Sequence, residues 1–525
     1  MGADRSDTPR ATARADDERR RWWALIAICG ATFMLLVDVT IVQVALPRIQ
    51  VDLHASFTNL QWVIDAYALT LSALILTSGS LADRIGRKRV FIGGLVLFTL
   101  ASLLCGLSPN ITFLIIARGL QGFGGAAMFA TSLALIAQEF RGPERASAIA
   151  AWGATVGGAV AIGPLIGGLL TEGLGWQWIF FVNIPIGLAT IALSLTRMVN
   201  VRDPDAERLD WAGLVTFSGA LFLLVFGLLR GNDKGWGSTL IVTVLAGAAV
   251  LLVAFLIAEL RQPRPMFDLS LFENRAFCGV SLATFAVGAG MFAMFPYLTF
   301  YLQNALGYSP LQGGLRLLPA TVLTFVVPLV TRRLAPRIPG ARLGAGLAIT
   351  ALGLVLMHGI TANSAWTELL PGLLLVGVGI GLANPAIASI ALGVVAPERS
   401  GMASGISNTF RIGGLAVGVA ALGAIFQDRV AKSLHGSLGG PQQGLAKAVA
   451  SGGTRAATIF THGRADIAEI ARSAFASGMN EILLIGAAVV LTGAVSAVVL
   501  VGVRDIQRRR QAEPPGVSEA EAAQA

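Results

Sequence analysis

Gly79-Ser80-Leu81-Ala82-Asp83-Arg84-Ile85-Gly86-Arg87-Lys88-Arg89-Val90 places five charged side chains within the seven residues from Asp83 to Arg89, between two long apolar runs. A short charged loop between apolar runs of about 20 residues is the pattern of a chain that turns at a membrane surface. A degenerate copy appears later. Leu81–Val90 aligns with Leu334-Ala335-Pro336-Arg337-Ile338-Pro339-Gly340-Ala341-Arg342-Leu343, five of ten positions identical at an offset of 253. Pro143-Glu144-Arg145 and Pro397-Glu398-Arg399 repeat that spacing at 254. Two matches at nearly one offset, both between apolar runs, argue for a duplicated membrane domain.

Composition agrees. Of 525 residues, 54% are hydrophobic and 13% charged, with a mean hydropathy of +0.71; soluble proteins carry roughly 25% charged residues. The net charge of +9 does not point to nucleic acid, because the charges sit in short loops between apolar spans. Cys29, Cys105 and Cys278 all fall within apolar runs, so no disulfide framework is expected. His54, His358, His435 and His462 have no metal-ligand spacing, and neither a metal nor a cofactor is expected. No G-x-x-x-x-G-K-[ST] stretch occurs, so ATP is not a direct energy source. Without a His/Glu zinc motif or a nucleophile–base pair, the chain does not read as an enzyme. Residues 1–21 are basic and polar, and no signal peptide is expected, because the first apolar run is long enough to span and contains Asp38.

The all-α reading has fourteen spans: 22–46, 60–82, 90–107, 112–137, 146–170, 178–196, 212–229, 239–258, 276–303, 312–331, 343–361, 368–394, 401–427 and 480–503. An even number puts both termini on one side. The tails and the loops on that side hold 27 Lys and Arg, while the short loops opposite hold Arg48, Arg230 and Lys234, so both termini are expected in the cytoplasm. The offset of about 250 pairs spans 1–6 with spans 9–14 and leaves spans 7 and 8 as an insertion. The expected organisation is a cytoplasmic tail (1–21), an N-terminal six-helix half (22–197), two inserted helices (198–270), a C-terminal six-helix half (271–510) with an outer loop (428–479), and a Pro/Glu/Ala-rich disordered tail (511–525). Within the outer loop, residues 464–479 suit a helix leading into the last span.

Away from the first residues of each span, Asp38 and Asp65 are the acids inside the spans, and Arg118, Arg316 and Arg411 are the bases. An ionisable group at a helix centre costs roughly 2.5–3.5 kcal/mol and should face a cavity or a partner. At 1.5 Å per residue, Asp38 lies about 12 Å, Asp65 about 8 Å and Arg118 about 9 Å below the outer ends of their helices. Three ionisable groups at one level suit a proton switch. A carboxyl shut away from water favours its neutral form, and one in contact with a guanidinium favours the charged form. A static ion pair that fixes helix packing is the other reading. The C-terminal half shows no clear acid in spans 9–13; its polar inventory is Tyr297, Tyr301, Gln303, Asn384, Ser407, Asn408 and Arg411, with aromatic surface from Phe285, Phe292, Phe295 and Phe300. A cavity with apolar walls and few polar groups suits bulky lipophilic compounds.

The loop 79–90 resembles the signature between helices 2 and 3 of the major facilitator superfamily, and fourteen spans match its fourteen-helix drug:proton antiporter family. Leu36-Val-Asp38-Val-Thr40-Ile-Val-Gln-Val-Ala-Leu-Pro47 resembles that family's helix 1 signature, and Arg118-Gly-Leu-Gln121-Gly122-Phe-Gly124 its helix 4 signature. Gly158, followed by Gly163-Pro164-Leu-Ile-Gly167-Gly168, resembles the antiporter signature of helix 5. Trp176-Gln177-Trp178-Ile-Phe-Phe-Val-Asn183-Ile-Pro185-Ile-Gly187 resembles the start of helix 6, with Gln177 where the family often has Arg.

The resemblance implies a proton-coupled exporter of lipophilic compounds, cationic ones among them, in the cytoplasmic membrane, acting as a monomer with protons, lipid and small molecules as its partners. A dedicated exporter of one endogenous metabolite, antibiotic, siderophore or lipid fits the same residues. Proton coupling is expected at Asp38, Asp65 and Arg118, and gating at Gly79, Asp83, Gly86, Arg87 and Glu139. Asp83 is implied to dock near Ser400–Ser404, and Arg87 to meet Glu139. In the second copy Pro336 and Gly340 replace Asp83 and Arg87, so that half cannot mirror the latch. Gly158, Gly163, Pro164, Gly167 and Gly168 form the antiporter helix, whose tight, bent contact between the halves limits leak; a plain Gly-rich packing face is the alternative. Gln121, Phe292, Tyr297, Asn384, Asn408 and Arg411 are the candidate substrate-cavity residues.

Overall fold

The computed structural model describes residues 8–140, 142–200, 210–262, 265, 267–331, 339–395, 400–438, 445, 449 and 465–501. Fourteen helices run through them, and no strand occurs among the described residues. The N-terminal half comprises α1 (Thr8–Asp52), α2 (Phe57–Ile85), α3 (Arg87–Gly106), α4 (Ile111–Glu139), α5 (Gly142–Gly173) and α6 (Trp178–Arg197), the last broken at Val182. A hairpin of α7 (Trp211–Lys234) and α8 (Thr239–Arg261) follows. The C-terminal half comprises α9 (Arg275–Ala305), α10 (Pro310–Thr331), α11 (Pro339–Leu356), α12 (Leu370–Gly393), α13 (Ser400–Leu438) and α14 (Ala465–Leu500). All but α11 are long and apolar enough to cross a membrane.

Local chemistry starts several of these helices within a few residues of where hydropathy places them. Ser56, Asn110, Asp210, Ser238 and Asn274 cap helix starts, each accepting a first-turn backbone N–H. Gly86 separates α2 from α3 at φ +109, a conformation that L side chains rarely adopt, and the Asn200 side chain fills the space a Cβ would need. Lys88 Nζ donates to the Leu195 and Met198 carbonyls at 2.8 Å each, satisfying the end of α6. That basic loop therefore ties α3 to α6.

The repeat in the sequence is a repeat in packing. In the N-terminal half α1 packs on α5 and α6, α2 on α4, and α3 on α4; in the C-terminal half α9 packs on α13 and α14, α10 on α12, and α11 on α12. The halves meet along two equivalent seams, α2 with α13 and α5 with α10. The inserted hairpin rests outside the first seam, where Trp62 of α2 meets Phe222 and Phe226 of α7, and Asn232 donates to the Ala424 carbonyl. α9 is the irregular member, with π turns at Val287–Met291 and Tyr301–Ala305, and Gly288 lies against the Arg411 carbonyl of α13.

Three boundaries differ clearly from the hydropathy reading: α1 begins at Thr8 rather than 22, and the other two lie in the C-terminal half. α13 continues to Leu438 rather than stopping at 427, and α14 begins at Ala465 rather than 480. Both helices therefore run past the apolar spans into the segment read as an outer loop, as expected of 464–479 alone. Hydropathy reports where the bilayer ends, not where the i→i−4 hydrogen bonds end. The tail 511–525 and most of 439–464 lie outside the described residues.

Candidate functional site: a buried acid–guanidinium network

Asp38 of α1 is fully buried and accepts three hydrogen bonds from two other helices. Arg118 Nη1 reaches its Oδ2 at 2.5 Å, while Gln121 Nε2 at 2.9 Å and Asn183 Nδ2 at 3.2 Å reach its Oδ1. Gln121 and Asn183 both also donate to Ser102 Oγ on α3, at 2.9 and 3.4 Å. Arg118 has further partners: Gln121 Oε1 at 2.6 Å, the Val63 carbonyl at 3.2 Å and the Tyr67 ring at 4.1 Å. Five helices thus converge on one ion pair that water does not reach. A buried pair of this kind is tolerated only because nearly every donor and acceptor is matched.

Of the three residues expected in proton coupling, the structure brings Asp38 and Arg118 together in one ion pair. Gln121, expected in a substrate cavity, instead belongs to the network, because it lies one turn beyond Arg118 on the same face of α4. Ser102 and Asn183 did not stand out in the sequence. A lone serine in the apolar α3 was the only signal for Ser102, and Asn183 lay in the helix 6 stretch.

Asp65 lies on α2 between Val63 and Tyr67, both of which contact Arg118, but it does not hydrogen-bond to Asp38. On α2, Val63 and Tyr67 face Arg118, whereas Gln61 and Asp65, one turn apart, lie toward Tyr297. Gln61 Nε2 donates to Tyr297 Oη at 3.2 Å and to the Val419 carbonyl at 2.9 Å. Tyr297 Oη donates to that carbonyl at 2.5 Å. Further along the same seam, Thr409 Oγ1 donates to the Ser72 carbonyl at 3.4 Å. Tyr297 is therefore a tie between the halves, a correction to its place among the cavity residues. Both Asp65 carboxyl oxygens are buried without a hydrogen-bond partner.

The helix 5 glycines divide between two neighbours. A methyl at Gly163 would collide with Thr40 of α1, and one at Gly167 would lie 3.0 Å from Ile41. Gly168 instead faces the other half, where a methyl would lie 2.7 Å from Leu311 Cα, and Gly314 of α10 meets the Pro164 carbonyl. Gly158 and Gly79 have nothing within 4 Å of such a methyl, so packing does not demand glycine there. Gly168→Ala is expected to push α10 away and destabilise the protein by about 1–3 kcal/mol, with Gly158→Ala near neutral. Thermal unfolding of the two purified variants checks this, and equal midpoints would mean that the α5–α10 seam is not tight.

Among the gating residues, the contact implied between Arg87 and Glu139 is not the one formed. Glu139, at the end of α4, pairs with Arg20 Nη1 of α1 at 3.0 Å and accepts the Val199 N–H at 3.4 Å. Arg87 Nη1 donates to the Ala134 carbonyl at 3.5 Å. The ion pair at Glu139 is thus with Arg20 rather than Arg87, because α1 extends far enough beyond the apolar span to bring Arg20 over the end of α4. The side chain of Asp83 and residues 396–399 lie outside what the structure describes. Arg411 donates to Asn408 Oδ1 at 2.8 Å, Phe292 pairs with Phe295 at 6.4 Å, and Asn384 is half-buried beside Pro385. Arg316 stacks on Tyr308 at 3.5 Å, near one end of α10. Among the described residues no three His, Cys, Asp or Glu gather where a metal ion would be held.

Comparison with known proteins fits this architecture. The family model of the Major Facilitator Superfamily matches residues 28–419, and the chain belongs to that family of membrane transporters, which are not enzymes. It is 37% identical to the puromycin resistance protein pur8 of Streptomyces alboniger, over 80% of this chain and 84% of that one. It is 37% identical to the multidrug resistance protein Stp of Mycobacterium tuberculosis, over 78% and 76%. It is 32% identical to the tetracenomycin C resistance and export protein of Streptomyces glaucescens, over 91% of each. Among solved structures, a bacterial homologue of the human lysosomal transporter Spinster superposes with a TM-score of 0.63 over 93% of this chain and 98% of that one, at 18% identity.

Proposed function

We propose that this protein is a proton-coupled antiporter that exports lipophilic drugs or antibiotics from the cytoplasm, acting as a monomer in the cytoplasmic membrane with both termini inside. The Asp38 network carries this reading. Arg118 keeps a carbonyl, an amide oxygen and an aromatic face when Asp38 is set aside, so Asp38 can take a proton without stranding the guanidinium in a dry site. Neutralising Asp38 removes the attraction that draws α1 and α4 together, which gives a proton a handle on helix arrangement. The relatives named for drug resistance and export support the direction of transport. The 27 basic residues on the terminal side support the orientation.

A dedicated exporter of one endogenous antibiotic is the second reading, favoured by the likeness to the tetracenomycin C resistance and export protein. Efflux of a substrate panel from cells, with and without a protonophore and against an empty vector, separates the two. Loss of coupling-dependent efflux for every compound would remove both.

Asp65 is assigned to cation selectivity, as a buried acid with no protein donor at the seam between the halves. Asp65→Asn is expected to reduce export of a monocationic dye several-fold more than that of a neutral one, and wild-type protein to export a dication poorly. Equal losses for the two dyes would assign Asp65 to coupling or structure.

A further inference from the structure

Glu172 is the penultimate residue of α5, at the end away from the chain start, and is exposed. Its Oε2 accepts from Ser309 Oγ at 2.6 Å and from the Leu311 N–H at 3.0 Å, both at the start of α10 in the opposite half. The backbone of α10 explains why it needs this partner. Pro310 has no N–H. The Gln312 N–H goes to Ser309 Oγ at 3.3 Å, and the Gly313 N–H to the Ser309 carbonyl at 2.8 Å. Leu311 therefore holds the first-turn donor that its own helix leaves unmatched. The carboxylate meets it at the positive end of the helix dipole.

Two further ties cross the seams on this side. Gln303 Nε2 donates to the Val44 carbonyl at 2.8 Å, and Gln61 to the Val419 carbonyl at 2.9 Å. Both are neutral and buried. Of these three, Glu172 alone brings a formal charge and stands in water, where solvent can take over the Leu311 N–H when the seam parts. The neighbouring charges have partners of their own: Arg316 lies on Tyr308 and bonds to the Gln312 carbonyl, and Arg48 at the end of α1 pairs with Asp52 at 3.2 Å.

We propose that Glu172 is the latch of the outer gate, a carboxylate of the N-terminal half that caps α10 of the C-terminal half while that side is shut and releases it each time that side opens. The proposal rests on the exporter reading for the word outer, and on geometry for the latch. It assigns a gating role to a residue outside the signature loops.

The test reads gate opening without transport. Val44→Cys places a thiol under the closed seam, where Val44 is 1% exposed. A membrane-impermeant maleimide is applied from outside to cells making the full-length protein, with the same chain lacking the reporter as background. Removing an exposed charge from a helix N-terminus should raise the labelling rate roughly two- to fivefold in Glu172→Ala. Glu172→Gln, which keeps the acceptor but not the charge, should fall between it and the parent. Glu481→Gln, which removes a half-buried acid paired with Arg429 within the C-terminal half, should label at the parent rate. Glu172→Ala and Glu172→Gln both labelling at the parent rate, or Glu481→Gln accelerating as much as they do, would overturn the latch. Because the readout needs neither substrate nor a proton gradient, failure of proton coupling leaves it intact.

Discussion

Asp38→Asn is expected to yield a folded, membrane-inserted protein whose uphill efflux falls by roughly a hundredfold or more, the scale on which a positioned proton-transferring group contributes. Asparagine keeps the shape of aspartate, and its Oδ1 can still accept from Arg118. Its amide then faces the Gln121 and Asn183 amides, so one donor must turn or go unmatched, and Arg118 keeps only neutral partners, together at a cost of about 3 kcal/mol. The protein survives that cost, but a group that takes and releases a proton is gone. Efflux against a gradient in energised cells, normalised to protein in the membrane, gives the answer. Movement down a gradient need not be lost, and measuring it separates failed coupling from a failed carrier. Wild-type uphill efflux would show that the Asp38 pair is a structural fixture.

Arg118→Ala should have the larger effect on the protein itself. The guanidinium is 2% exposed and holds α4 to α1 and α2 through Asp38 and the Val63 carbonyl. Removing it leaves a dry carboxylate with two amide donors and no counter-charge, at a cost of roughly 3–5 kcal/mol. Yield and the unfolding midpoint of the purified protein should both drop. Adding Asp38→Asn to Arg118→Ala removes the stranded charge and should restore part of the midpoint without restoring transport. A double variant no more stable than Arg118→Ala would mean that the pair is not energetically coupled.

How much of this site was legible depends on what each residue required. Asp38, Asp65 and Arg118 announce themselves, because charge in an apolar run is expensive wherever the helix points. Their depth followed from counting residues at the helix rise. The side of the helix did not. Asp65 and Arg118 lie at one level, yet α2 turns Val63 and Tyr67 toward Arg118 and Asp65 toward Tyr297. Gln121 was one turn from Arg118 and its role in the network could have been read from that spacing. Ser102 could not, since a serine in an apolar helix often bonds its own carbonyl, as Ser102 also does to Phe98 at 2.8 Å. The pairing of Glu139 with Arg20 depended on α1 continuing past the apolar span, which hydropathy does not report.

The sequence by itself determined that the chain is a duplicated bundle of fourteen apolar helices, which loops are basic, and which charges lie inside the apolar runs. Hydropathy, the rise per residue and the spacing of the repeat are properties of the chain along its own axis. The tertiary structure decided which charges meet. It set Gly163 and Gly167 against α1 but Gly168 against α10, made Tyr297 a tie across the seam through Gln61, and gave α10 its cap from Glu172 in the other half. Those choices depend on the rotation of each helix about its axis and on its register against a neighbour. Both are set by side-chain packing between segments distant in the chain, which no local pattern records.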